Sequence, residues 1–413
     1  MLKVGTLFSG IGAFEQALKQ LGIPHKIEFA CDNGELELIP LQKIQERWEY
    51  KRLDRRAKSL DDAQMARYLE LKGKVSEEIE HIRTEALKIE DKQQLHEYVA
   101  EIYKQYGVMK ENKMRKAYLA NYTIDEDDFY TDVRFLNGNI YANQVDIMVG
   151  GSPCQSFSTY GKKRGLEDTR GTLFYDYARI IQEVQPKIFI YENVPGLLTH
   201  DETKTWQTMI QVWESLGYVI KYQILNAADY NHPQTRNRLF LIGFKEDIYA
   251  QPYDFPAKRK LQHKASEYLQ TNVDDIYYLG KKGFEWVTNT KKNLNKTRYN
   301  RDVIGCQTAN QQFNWTGDLL VEKPSKHHYE NPNIYIGELN GEPAVARKMT
   351  PRECLNLMGF SPDFEIVVDD KEAYRQAGNS IVVPVLKEII ESLKPYLGSL
   401  LRERKTTSNK CHN

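Results

Sequence analysis

One cysteine, one glutamate and two arginines stand at the ends of short apolar runs, where their chemistry could be presented to a ligand. Cys154 lies in Gly150 to Ser158 (GGSPCQSFS), directly after the apolar run Val145 to Val149 (VDIMV), which reads as a buried strand. Gly150 and Gly151 allow a sharp turn and a close ligand approach, and Pro153 fixes the backbone just before the thiol. Gln155, Ser156 and Ser158 add polar groups around it. A free cysteine is ordinarily a small buried hydrophobe, so its surroundings must decide its role. A second apolar run, Lys187 to Tyr191 (KIFIY), ends in Glu192, Asn193, Val194 and Pro195, and Gln234 to Phe244 (QTRNRLFLIGF) carries Arg236 and Arg238 directly into a third. Open α/β sheets bind ligands beyond the carboxyl ends of their strands, where the Cys154 loop and the Glu192–Asn193 pair fall.

The elements that must position these residues alternate regularly. Lys3 to Phe8 reads as a buried strand, Ser9 to Gly12 as a glycine turn, and Ala13 to Leu21 as a helix with Phe14, Ala17, Leu18 and Leu21 on one face. Such a turn brings backbone close to a nucleotide and leaves helix N–H groups free to meet it. The third glycine of the dinucleotide fingerprint is absent. A second strand, Ile27 to Cys31, ends in Asp32, placed to accept hydrogen bonds from ribose hydroxyls or to stand in a solvated loop. Further on, Leu173 to Val184 and Thr203 to Leu216 read as helices, Val219 to Leu225 as a strand, and Lys348 to Phe360 as a helix with Thr350 as N-cap and Pro351 at the first helical position. The alternation specifies a doubly wound, Rossmann-like α/β sheet.

Two segments depart from this pattern. From about Gly34 to Asn112 the sequence is highly charged with almost no glycine or proline. The stripe Val75, Ile79, Ile82, Ala86 and Ile89 reads as a helical insertion outside the core. Between Lys245 and Arg347 the alternation gives way to Asn, Tyr, Lys and turn residues, including Lys291 to Arg301 (KKNLNKTRYNR), which has no acid. This reads as a small irregular domain suited to phosphate contact and base-edge readout. The glycine-rich basic stretch Gly161 to Thr172 reads as a loop able to meet phosphates. Residues 1–244 and 348–398 then make one domain, 245–347 another, and 399–413 a polar tail.

Composition narrows the class. Lys plus Arg and Asp plus Glu both number 57, so any nucleic-acid surface must be a local basic patch. The five cysteines have no CxxC spacing and HExxH does not occur, which points away from a zinc site or a disulfide framework. No apolar run approaches membrane-spanning length. A monomeric cytoplasmic enzyme without a bound metal is expected.

The order LFSGIGAFE, GGSPCQSFS, ENV, QTRNR, RKMTPREC, QAGNS resembles the cytosine-C5 DNA methyltransferases of bacteria and phages. The resemblance implies a class I methyltransferase fold, S-adenosylmethionine as methyl donor, double-stranded DNA as substrate and residues 245–347 as the target-recognition domain. A cognate restriction endonuclease is an expected functional partner. By motif, Cys154 is the nucleophile, Glu192 the acid at the cytosine ring, and Arg238, with Arg236 and Asn193, completes the catalytic cluster. The cofactor site comprises Phe8, Ser9, Gly10, Gly12, Asp32 at the ribose, Asp132 at the adenine amino group, Pro153, Asn379 and Ser380. DNA contacts are expected from Gln155, Ser158, Lys162, Lys163, Arg164, Lys291, Lys292, Lys296 and Arg298. Ala13 replaces a common glycine, and Asp32 stands where Glu is usual. A transfer-RNA methyltransferase shares these motifs. A silent DNA-binding regulator would not need Cys154, Glu192 and Arg238 together, and a nicotinamide enzyme would need the missing glycine.

Overall fold

The computed structural model describes residues 1–152, 173–249, 251–289, 297–310, 312, 315 and 317–408. In chain order its main sheet contains β1 (Leu2–Leu7), β2 (His25–Cys31), β3 (Phe129–Tyr130), β4 (Ile147–Gly150), β5 (Ile188–Asn193), β6 (Tyr218–Asn226) and β7 (Asn237–Lys245). The strand order is β3-β2-β1-β4-β5-β7-β6, with β7 antiparallel to both neighbours and the other pairings parallel. The order reverses between β1 and β4, so a ligand crevice opens at the carboxyl ends of those strands. The doubly wound sheet expected from the sequence is present.

Side-chain alternation divides the core in two. Ile188 and Ile190 of β5, with Phe240, Ile242 and Phe244 of β7, face one layer; Phe189, Tyr191, Leu239 and Leu241 face the other. The first layer is covered by α1 (Ala13–Gln20) and a long C-terminal helix, Val383–Ser408, whose Leu386, Ile389, Ile390 and Leu393 are fully buried.

Between β2 and β3 the charged segment forms α2 (Ile44–Arg55), α3 (Asp62–Ala86), α4 (Lys92–Gln105) and α5 (Lys113–Asn121). Asp61 caps α3 by accepting from the Gln64 N–H at 2.8 Å, and Asp91 caps α4 in the same way. This segment is not wholly accessory, which corrects the sequence reading. Ile39, Leu41, Leu53, Tyr68 and Leu71 make a small cluster of their own around α2 and early α3. By contrast, Ile82 and Ala86 at the end of α3 and Leu95, Val99 and Tyr103 of α4 share one core with Leu7, Phe29, Tyr130 and Val133. The i, i+4, i+8 spacing of Leu95, Val99 and Tyr103 gives α4 an apolar face, and the sheet layer buries it.

On the same face as the insertion, α6 (Leu173–Val184) and α7 (Lys204–Ser215) complete the second layer, burying Phe174, Tyr177, Trp206 and Trp213. The region after β7 carries α8 (Lys281–Thr288), β8 (Thr297–Tyr299), β9 (Gly317–Glu322), α9 (Lys326–Glu330), β10 (Gly337–Leu339) and β11 (Glu342–Arg347), with sheet order β10-β11-β9-β8. Its own core starts only at Leu279, with Phe284, Val287, Leu319, Val321, Ala344 and Ala346. Tyr253, Ala265 and Ile304 pack instead into the catalytic layer.

A buried ion-pair network fixes this region to the catalytic body. The Arg347 guanidinium donates to Glu322 at 2.7 Å and to both oxygens of Glu353 at 2.8 and 3.0 Å. Glu353 lies in α10 (Pro351–Asn356), which Thr350 caps reciprocally and Pro351 starts, as the sequence predicts. The helices α11 (Asp370–Asn379) and α12, the long C-terminal helix Val383–Ser408, follow.

Candidate active site

The glycine turn after β1 holds Phe8, Gly10 and Gly12 at positive φ of 53°, 55° and 75°. Gly12 is required sterically as well, because a Cβ there would meet the Tyr122 ring, whose hydroxyl donates to the Gly12 carbonyl at 2.6 Å. Ser9 ties the ends of β1 and β2 together: its N–H donates to the Cys31 carbonyl at 3.0 Å and its hydroxyl accepts from the Cys31 N–H at 3.0 Å.

Asp32 faces the same turn. One carboxylate oxygen accepts from the Gly10 N–H at 2.9 Å and the other from the Gly34 N–H at 2.8 Å. Burial pushes its carboxyl above the usual range against those two bonds. Its backbone N–H donates to the Tyr130 carbonyl at 3.1 Å, so Asp32 and Asp132 sit at the ends of adjacent parallel strands.

Asp132 is buried and engaged by several donors. The Arg134 Nε reaches Oδ1 at 2.9 Å and its Nη2 reaches Oδ2 at 2.6 Å, with the Arg134 backbone N–H on Oδ1 at 3.0 Å. The Tyr103 hydroxyl of α4 donates to Oδ2 at 2.8 Å. Burial raises the Asp132 pKa, but the Arg134 charge and these hydrogen bonds outweigh it and hold the carboxyl below the ordinary range. Across the cleft, Asn379 donates to Glu35 at 3.1 Å, and Ser380 is buried beside it. The residues present fit a nucleoside: an open glycine turn at Gly10, where a Cβ would meet nothing, lies beside Asp32, and Asp132 follows one strand further along the sheet.

Where β4 and β5 end and β7 begins, Glu192 and Arg238 come together. The Glu192 carboxylate meets the Arg238 Nε at 3.0 Å, with their side chains 17% and 19% exposed. Burial pushes the Glu192 carboxyl up, and the charges of Arg238 and Arg236 only partly offset it. A Cβ on Gly151 would strike the Glu192 carbonyl and stand against its side chain, so glycine is required where the chain leaves β4. Asn193 donates to the Ser152 carbonyl at 3.0 Å and to the Tyr191 hydroxyl at 3.0 Å, and Tyr191 also bonds the Ser152 hydroxyl at 2.7 Å. Asn193 therefore anchors the start of the cysteine segment. Pro153, Cys154, Gln155, Ser158, Lys162, Lys163 and Arg164 lie outside the described residues, as do Lys291, Lys292 and Lys296.

The two arginines do different work. Arg238 is partly exposed and, besides Glu192, donates from Nη1 to the Asn237 carbonyl at 2.8 Å. Arg236 is buried and its guanidinium donates to three carbonyls, Gln307 at 2.6 Å, Gly378 at 3.0 Å and Ser380 at 2.7 Å, and to the Cys306 sulfur at 3.3 Å. It influences Glu192 only through its charge. Its geometry is that of a brace joining β7, the recognition region and the last motif. Arg298 is exposed on β8, with its guanidinium beside Gly305.

The profile of the C-5 cytosine-specific DNA methylase family matches residues 91–395. This chain belongs to that family. It is 37% identical over 250 residues to the type II methyltransferase M1.ScrFI of Lactococcus lactis subsp. cremoris, an alignment covering 60% of this chain but only 62% of that relative. It is 32% identical over 304 residues to the type II methyltransferase M.HpaII of Haemophilus parainfluenzae, covering 70% of this chain and 82% of that one. Among solved structures, S. pombe Dnmt2 methyltransferase aligns with a TM-score of 0.59 at 18% identity, covering 96% and 99% of the two chains, a likeness of fold.

For a C-5 cytosine methylase, three side chains went unrecognised in the sequence. Tyr103 stood in a segment read as an insertion outside the core, although the spacing Leu95, Val99, Tyr103 marks a buried face. Arg347 and Glu353 are separated by six residues across a boundary between apparent domains, and no local pattern signals that they pair. Among the described residues no group of three or more His, Cys, Asp or Glu could hold a metal, and no helix is long and apolar enough to cross a membrane.

Proposed function

We propose that the protein transfers a methyl group from S-adenosylmethionine to C5 of a cytosine flipped out of duplex DNA, as the methylase of a restriction-modification system or a phage. The observation that carries this reading is the Glu192–Arg238 pair, packed against Gly151 at the origin of the Cys154 segment. Cytosine C5 is a poor nucleophile, so the Cys154 thiolate first adds to C6 and pushes electron density into the ring. Negative charge then builds on N3, where Glu192, whose carboxyl burial keeps towards its protonated form, donates a proton. Arg238 holds Glu192 through Nε and directs its remaining guanidinium edge to the cytosine carbonyl oxygen. Loss of the C5 proton after alkylation restores the double bond and expels the thiol. Bound S-adenosylmethionine supplies the electrophilic methyl group. The glycine turn of Phe8 to Gly12 would cradle it, Asp32 would accept from its ribose, and Asp132 from its adenine amino group. The target base is unreachable in a stacked duplex, so it must be extruded at a cost of about a few kcal/mol.

Residues 245–347 supply target recognition, and Arg298 together with Lys291, Lys292 and Lys296 supplies phosphate contacts. The test is cytosine-methylation sequencing of DNA from cells expressing the protein, beside methyl incorporation into RNA. Methylation of cytosine within one recurrent DNA sequence is expected. Incorporation into RNA alone would move the substrate to transfer RNA, and none in either, with intact DNA binding, would leave a regulator.

A further inference from the structure

We infer that Tyr103, on the charged insertion, is a positioning residue for the acid that recognises the cofactor's adenine amino group, so that the insertion forms part of the cofactor site. The inference rests on the proposed role of Asp132. An ionised carboxylate offers about four acceptor positions. Here Oδ1 takes the Arg134 backbone N–H and Nε, while Oδ2 takes the Arg134 Nη2, the Tyr103 hydroxyl and, at 3.1 Å, a share of the same Nε–H. An incoming amino donor must therefore displace one of them. The Arg134 side chain is 22% exposed and can swing towards solvent. Tyr103 is only 5% exposed and is clamped by the helix face that buries Leu95 and Val99 in the core. When part of the Arg134 fork yields, the fixed donors left are the Arg134 backbone N–H on Oδ1 and Tyr103 on Oδ2. Tyr103 thus sets the rotamer that presents Asp132 to the ligand. Asp132 lies two residues past β3, whose partner strand β2 ends one residue before Asp32. A shift of α4 would consequently be felt at both acids.

The experiment uses the full-length protein and calorimetric titration with two probes. One is S-adenosylhomocysteine; the other is its inosine analogue, in which a carbonyl oxygen replaces the adenine amino group. The wild type should prefer the adenine probe, because the analogue sets an oxygen against the Asp132 carboxylate. Tyr103→Phe should weaken the adenine probe about tenfold, the scale of one hydrogen bond to a charged group, and narrow its preference over the analogue. Val99→Ala, which loosens the same helix without touching the hydroxyl, should lower the melting temperature and leave that preference unchanged. Equal narrowing in Val99→Ala would overturn the inference by tracing the effect to packing. Asp132→Asn separates the two layers of argument. If it removes the preference while Tyr103→Phe keeps it, the positioning role is wrong and the reading of the site stands. If it leaves both affinity and preference unchanged, Asp132 is not the adenine acid and the inference falls with that reading.

Discussion

Replacing Arg236 with methionine should unfold the junction of three segments, whereas the same change at Arg238 should not. Arg236 donates to the carbonyls of Gln307, Gly378 and Ser380 at 2.6 to 3.0 Å from a buried position. Each hydrogen bond to a charged group contributes about 1.5–3 kcal/mol net, so three give an upper figure of about 5–9 kcal/mol. Methionine recovers apolar burial and removes the desolvation cost of the guanidinium, which burial already disfavours. Part of the segment will also relax towards water. A net loss of about 3–5 kcal/mol follows, at the upper end of what single substitutions do. Arg238→Met removes one partly exposed ion pair, so a loss of about 1 kcal/mol is expected, with the effect appearing in the chemical step instead. Urea unfolding followed by tryptophan fluorescence, beside single-turnover methylation, reads both quantities. Arg236→Met with wild-type stability and a strongly slowed single turnover would show that Arg236 belongs to the catalytic cluster and that the brace is misread.

Glu192→Gln should slow single-turnover methylation by about a hundredfold to ten-thousandfold while leaving S-adenosylhomocysteine affinity nearly unchanged. Because the Glu192 pKa is raised and the proposed step needs its proton, the rate should fall as pH rises through that pKa, which lies above 4.5. A rate that climbs through that range would contradict the acid role. Neutralising Lys291, Lys292 and Lys296 should weaken binding to every DNA sequence and lower the salt slope by about 2–3, at about 0.9 per phosphate contact. An unchanged slope removes that run from the DNA surface. Leu95→Ala should cost about 2–5 kcal/mol of global stability, as large-to-small core changes do, whereas Leu71→Ala should loosen only the lobe around α2. Equal global losses in urea titrations would show that the distal cluster and the sheet layer form one cooperative unit.

Much of the catalytic domain was legible because its sheet is buried on both faces. Short apolar runs ending in glycine or acid marked β1, β2, β4 and β5 to within a few residues. Thr350 and Pro351 announced α10 by capping chemistry alone. The motif order carried Glu192 and Arg238 to one place, and the structure pairs them at 3.0 Å. The difficult features depend on long-range partners. Arg236 and Arg238 are two residues apart in one strand and carry the same side chain. Only the carbonyls of distant Gln307, Gly378 and Ser380 distinguish the brace from the ring-facing group. The insertion misled for a related reason. Its charged residues outnumber the apolar ones, and the face bearing Leu95, Val99 and Tyr103 is buried by β-strand residues far away in the chain. Replacing the whole segment 34–112 would therefore not spare the core, because it removes Leu95, Val99 and Tyr103 from a layer shared with Phe29 and Tyr130. Residues 245–347 offered composition without periodicity, which suits a small domain of mixed short strands but leaves the order β10-β11-β9-β8 illegible.

The central claim is covalent catalysis through Cys154, and trapping tests it most directly. Duplex DNA carrying 5-fluorocytosine at the methylated position, incubated with the protein and S-adenosylmethionine, cannot release the thiol, because fluorine does not leave C5 as a cation. A denaturation-resistant adduct should form, peptide mass spectrometry should place it on Cys154, and Cys154→Ala should abolish it while sequence-specific DNA binding persists. An adduct on Cys31, Cys306, Cys354 or Cys411, or full methylation by Cys154→Ala, would contradict the account.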